Sequence, residues 1–129
     1  MVILDTSFLF AYFQENDEFH LKAKELAENI RGELIYVSFL VAQEFLTLLT
    51  SRYSSSVAAT IYEDLFSEET GIKLIKIDEE FFEETLVLFK KLNPHRFSFV
   101  DVSLMVLSKE LEAKVLTFDE RLEEKLTSA

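Results

Sequence analysis

The sequence predicts an α/β fold, with a mostly parallel sheet covered by helices on both faces. Four short apolar runs alternate along the chain with segments of helical periodicity. Those runs are continuous rather than alternating, which suits strands buried on both faces. Glycine (2) and proline (1) are scarce, so regular elements and short turns are expected. A length of 129 residues fits a single domain, taken as 1–129.

The first strand is Val2-Ile3-Leu4, ending at Asp5. A buried helix follows from Ser7 to Phe13 and is broken at Asn16-Asp17. From Asp17 to Ile30, Phe19, Ala23, Leu26 and Ile30 recur at helical spacing, and Gly32 lies just past the end. Leu34 to Val37 is the second strand, and Ser38 is a natural N-cap for a helix reaching Ser51. The serine-rich stretch Ser51 to Ser56 reads as a turn before a helix over Val57 to Phe66. Ile72 to Ile77 is the third strand, followed by Asp78 and a helix from Glu79 to Leu92 that Asn93-Pro94-His95 stops. A helix over Ser98 to Leu111, a strand over Lys114 to Phe118 and a short helix over Glu120 to Leu126 complete the order.

Composition narrows the chemistry. Hydrophobic residues make up 49% of the chain and thirteen are Phe, enough for one bulky core. Cysteine is absent, which excludes disulfides, thiolate nucleophiles and cysteine-based zinc sites. The two histidines, His20 and His95, are too few and too far apart to suggest zinc. The start has no basic segment and Asp5 interrupts its apolar run, so no secretory signal is expected. The longest later apolar stretch, Phe8 to Phe13, is too short to cross a bilayer, so no membrane association and a cytoplasmic location are expected. A net charge of −11 disfavours nonspecific binding to phosphate backbones, unless some carboxylates are grouped around cations.

Four acids fit such a group. Asp5 and Asp119 follow the first and fourth strands, and ligands of open α/β sheets bind beyond strand carboxyl ends. Asp101 lies in the first turn of the helix before strand four, and Glu44 in the helix after strand two. Glu44 shares a helix side with Leu40, Val41 and Leu48, and Asp101 with Leu104 and Met105. Both therefore border apolar stripes, where an ionised carboxylate needs a partner. Mg²⁺ or Mn²⁺, with their preference for hard oxygen ligands, would supply one. Each acid also has a plainer explanation. Asp5 and Asp119 could cap helices, Ser98-Phe99-Val100-Asp101 has the form of a capping box, and Glu44 could reach water. Capping and metal binding are compatible, because a carboxylate has two oxygens.

At these residues the chain resembles the PIN domain family, over nearly its whole length. Val2-Ile3-Leu4-Asp5-Thr6-Ser7, Val37-Ser38 with Glu44, Phe97-Ser98-Phe99-Val100-Asp101 and Leu116-Thr117-Phe118-Asp119 resemble the family's four motifs in order. The resemblance implies a three-layer α/β/α sandwich of four or five strands. It implies a Mg²⁺- or Mn²⁺-dependent endoribonuclease that hydrolyses phosphodiesters through a metal-activated water. Asp5, Glu44, Asp101 and Asp119 would form the catalytic and metal-binding set, with supporting hydroxyls from Thr6 and Thr117. Small single-domain members are commonly VapC-type toxins, so a cognate antitoxin and a homodimer are implied partners; others act in RNA processing. The chain departs from the family after Asp119, where no apolar run follows and one sheet edge is expected to be short or missing.

For RNA phosphates, the candidate contacts are Arg52, Lys90, Lys91, His95, Arg96 and Lys109, with Lys90-Lys91 more simply a solvated helix face. The aromatic stretch Phe8, Phe10, Tyr12, Phe13 is most simply core, and a partner surface if part of it stays exposed. Two other functions compete. One is a PIN-like scaffold that binds protein or RNA without cutting it. The other is a phosphoacceptor receiver built on Asp78, disfavoured because the first strand lacks a paired acid.

Overall fold

The computed structural model describes residues 1–92 and 96–128. Its element order is β1 (Val2–Leu4), α1 (Thr6–Phe13), α2 (His20–Asn29), β2 (Ile35–Ser38), α3 (Phe39–Arg52), α4 (Ser55–Leu65), β3 (Lys73–Ile75), α5 (Glu79–Lys91), α6 (Phe99–Leu111), β4 (Lys114–Leu116) and α7 (Glu120–Thr127). Among the described residues the sheet has four strands, in the order β3-β2-β1-β4, and every pairing is parallel. The architecture is the expected α/β/α sandwich, with four strands rather than five.

The topology decides where a site can form. The chain steps from β1 to β2 to β3 in one direction, then returns past β1 to β4. Right-handed crossovers place the helices of these two halves on opposite faces. The connections after β1 and β3 thus run to opposite sides, leaving a crevice at the carboxyl ends of β1 and β4. The N–H of Asp5 donates to the Leu116 carbonyl at 3.0 Å, closing the two strand ends together.

β1 is central and all three of its residues are buried. The edge strands β3 and β4 have three residues each and begin with an exposed lysine, Lys73 and Lys114, which discourages further strand pairing. The run expected for the third strand is twice its paired length: Ile72 and Ile77 pack against the core without joining the ladder. Phe118 does the same beyond β4. α2 also starts later than its periodicity suggests. Gln14 and Asp17 accept turn hydrogen bonds there, and Phe19 becomes the N-cap.

The helix starts are well specified by sequence. Ser38, Ser54 and Asp78 cap α3, α4 and α5 through their side chains. α5 carries Glu79 and Glu80 in its first turn and Lys90 and Lys91 in its last, matching the helix dipole. The Asn93-Pro94-His95 stop lies outside the described residues. Phe8 is buried, while Phe10, Tyr12 and Phe13 are half-buried against the core, so this stretch is core.

Candidate active site

Asp5 is held by a web of hydroxyls. It is only 5% exposed. Its Oδ1 accepts the Thr6 N–H at 2.8 Å, which also caps α1. Its Oδ2 accepts the Thr117 hydroxyl at 2.7 Å and the Ser7 hydroxyl at 3.0 Å. Each hydroxyl in turn accepts a backbone N–H. Ser7 Oγ takes that of Phe118 at 2.9 Å, and Thr117 Oγ1 takes that of Asp119 at 3.0 Å. The single proton of each hydroxyl therefore goes to Asp5. The web fixes the Asp5 carboxylate and the turn carrying Asp119 in one arrangement across β1 and β4.

Asp101 sits in the first turn of α6, and the expected capping box is present. Ser98 Oγ accepts the Asp101 N–H at 3.0 Å, and Asp101 Oδ2 accepts the Ser98 N–H at 3.1 Å. Burial raises the Asp101 carboxyl above the ordinary carboxylate range, and the negative charges of Asp5 and Asp119 raise it further, against the lowering effect of the Ser98 hydrogen bonds. Asp5 at the end of β1 and Asp119 in the β4–α7 turn thus both face Asp101 on α6 closely enough for their charges to act on it. Asp119 does not follow its strand directly: Thr117 and Phe118 intervene, and its Oδ1 caps α7 by accepting the N–H groups of Arg121 and Leu122.

Glu44 stands apart. It is half-buried on α3. It is not among the charges that act on Asp101. No hydrogen bond or ion pair fixes it among the described residues.

The donors fit a hard divalent cation, though not as a closed cage. No three acidic or imidazole side chains among the described residues are grouped closely enough to hold an ion. Mg²⁺, however, keeps several waters and takes only one or two carboxylates. Asp101 Oδ1 and Asp119 Oδ2 accept no hydrogen bond among the described residues, so each has an oxygen to offer. Beside Asp5, the buried Thr6 hydroxyl has no hydrogen-bond partner among the described residues, which is costly inside a protein unless a ligand or water meets it.

Sequence reasoning missed two residues. Ser7 is a hub of the web. Arg121 places its guanidinium 4.9 Å from the Phe97 ring centre and donates to the Arg96 carbonyl at 3.3 Å. Phe97, Arg121 and Lys125 line a cavity of about 360 Å³ on this side of the molecule. The basic residues singled out from sequence do other work. Lys90, Lys91 and Lys109 occupy the last turns of α5 and α6, and Arg52 lies over the Phe10 ring at 5.4 Å. His95 lies outside the described residues. Asp78 caps α5 by accepting the Phe81 N–H, a local role that needs no phosphoacceptor chemistry.

A parallel α/β/α sandwich with acids at its β1–β4 crevice defines a class, and the comparisons name it. The PIN domain family model matches residues 2–125, and the chain belongs to that family. Among solved structures it is similar to Mycobacterium tuberculosis VapC20, a sarcin–ricin loop cleaving toxin. The TM-score is 0.84 at 20% identity, over 97% of this chain and 95% of that one. No curated protein sequence gives a significant match.

Proposed function

We propose that this chain is a divalent-cation-dependent endoribonuclease that hydrolyses RNA phosphodiester bonds. Asp5, Asp101, Asp119 and Glu44 are assigned as its acidic set. The observation that carries this reading is the convergence of two carboxylates from separate elements, Asp5 and Asp119, on the half-buried Asp101. A protein gains nothing in stability from such crowding, whereas a bound cation inverts its sign. Mg²⁺ or Mn²⁺ would make a bound water more acidic and offset the charge that builds on phosphate. Asp5 holds its position through Ser7 and Thr117. Asp101 and Asp119 offer their free oxygens, and Glu44 is assigned to the set by its place in the second motif. Arg121, two residues after Asp119 and lining the cavity beside Phe97, is the basic group we assign to the RNA backbone.

Membership of the family and likeness to a toxin structure support a role as the toxin of a toxin–antitoxin pair. Phe82 and Phe89 share the side of α5 that meets Phe99 and stay partly exposed, which gives an antitoxin or a second protomer a small apolar surface to cover. No helix among the described residues is long and apolar enough to cross a membrane.

One observation favours the alternative of a silent RNA- or protein-binding scaffold: among the described residues no three acids lie at ion-holding separation. Incubation of single-stranded RNA with the protein, with Mg²⁺, Mn²⁺ or a chelator, separates the two readings. Cleavage that the chelator stops is expected. RNA left intact at every metal concentration, with no metal-induced rise in thermal midpoint, would leave the scaffold.

A further inference from the structure

Three phenylalanine rings form a column that begins in the core, passes through Phe118, the residue before Asp119, and ends in solvent. The Phe118 ring stacks on Phe8 with centres 5.8 Å apart and planes 13° apart. The Phe19 ring stacks on Phe118 at 4.7 Å and 4°. Phe118 belongs to the acid web, because it lies between Thr117 and Asp119 and its N–H donates to Ser7. Phe8 is buried, Phe118 is half-buried and Phe19 is 38% exposed.

Local structure does not account for Phe19. It occupies the N-cap of α2, where Ser, Thr, Asp or Asn is preferred, and it makes no capping hydrogen bond there. What the position gains comes from the ring, which covers Phe118 and keeps part of its own surface in solvent. Its backbone is nevertheless pinned. The Phe19 N–H donates to Asp17 Oδ1 at 2.8 Å, and the next side chain, His20, bonds the Ala11 carbonyl at 2.8 Å. The ring is presented on a fixed backbone and oriented by the two rings beneath it.

We propose that Phe19 extends this column to a nucleobase, forming a stacking subsite for one nucleotide of the RNA strand held at the carboxylates. The subsite rests on the ribonuclease reading. Every base has a flat face, so aromatic stacking holds single strands without regard to sequence and needs no positive charge. That suits a chain with a net charge of −11, for which backbone attraction is weak.

The chain has no tryptophan, so Phe19→Trp introduces a single reporter. Oligoadenylate should quench its emission saturably, while tripolyphosphate, which has no base, should not. A control substitution, Leu21→Trp, at a residue 81% exposed on the same helix, should show no such quenching. In the natural background, Phe19→Leu should raise the KM for RNA about tenfold, with kcat and thermal midpoint kept, and Phe19→Tyr should restore it. An unchanged KM in Phe19→Leu, or unquenched emission from F19W in a protein that still cleaves RNA, overturns the subsite and leaves the ring to a protein partner. Failure of the ribonuclease reading looks different. Quenching without cleavage removes the hydrolase and keeps the subsite, and absence of both binding and cleavage removes the two together.

Discussion

Asp5 and Glu44 are two acids of one assigned set, following neighbouring strands, and they are held in opposite ways. Asp5 is buried and takes three hydrogen bonds, two from hydroxyls that also bind the turn after β4. Glu44 is half-buried on α3, and nothing fixes it among the described residues. The contrast separates two jobs. The β1–β4 side is a rigid frame that exists without a ligand and contributes to folding. In the proposed ribonuclease, the α3 side supplies a carboxylate that gains a partner only when a cation or substrate binds. Function and stability should therefore be coupled at Asp5 and uncoupled at Glu44.

The largest effect is expected at Asp5. Asp5→Asn should lower RNA cleavage about a thousandfold, equivalent to roughly 4 kcal/mol of transition-state stabilisation. It should also lower the thermal midpoint, because the amide cannot accept from both hydroxyls and the Thr6 N–H. Single-turnover cleavage and calorimetry check the pair. Next comes Glu44→Gln. About a hundredfold slower cleavage is expected, with stability within about 0.5 kcal/mol of the parent; a large loss of stability there would erase the distinction between the two acids. Thr117→Val comes third. It deletes a donor to Asp5 and the acceptor of the Asp119 N–H, so denaturant unfolding should show a loss of about 2 kcal/mol.

The smallest effect carries the most specific sign. The Asp101 carboxyl is raised above its ordinary range by burial and by its acidic neighbours. An acid raised on folding binds its proton more tightly in the folded state. Its contribution to stability is present below the ordinary carboxylate range and is lost as pH rises through the raised value. At neutral pH, ionised Asp101 therefore opposes folding in the metal-free protein. Asp101→Asn should raise the metal-free midpoint at pH 7, and the gain should vanish near about pH 3. Mg²⁺ should stabilise the parent and not the variant. A midpoint that falls at pH 7 would show that the capping box outweighs the charge crowding.

How much of this was legible follows from sequence separation. The β1 strand, the Ser38 cap and the Ser98–Asp101 box are local patterns, and the structure contains them. The strand ends were read too long, because Ile77 and Phe118 are apolar for packing and not for pairing. Phe19 fell on the periodic positions of α2 yet became its N-cap, because Asp17 forms a side-chain turn that a hydrophobic pattern does not register. The positions of the four acids follow local patterns: Asp5 follows β1, Ser38 and Ser98 mark the starts of the helices carrying Glu44 and Asp101, and Asp119 caps α7. The role of Ser7 was not legible, since its partner Phe118 N–H is 111 residues away. Arg121 was hidden for the same reason, because its ring and carbonyl partners, Phe97 and Arg96, lie far from it in sequence. The separation of Glu44 from the Asp5–Asp101–Asp119 group is likewise a property of the packed helices.

The most direct measurement is a Mg²⁺ titration of single-stranded RNA cleavage by the parent protein and by Asp5→Asn, followed in parallel by thermal midpoint. The account predicts cleavage that saturates with Mg²⁺ together with a rising midpoint in the parent, and loss of both in Asp5→Asn. Cleavage that persists in chelator, or that proceeds undiminished in Asp5→Asn, would contradict it.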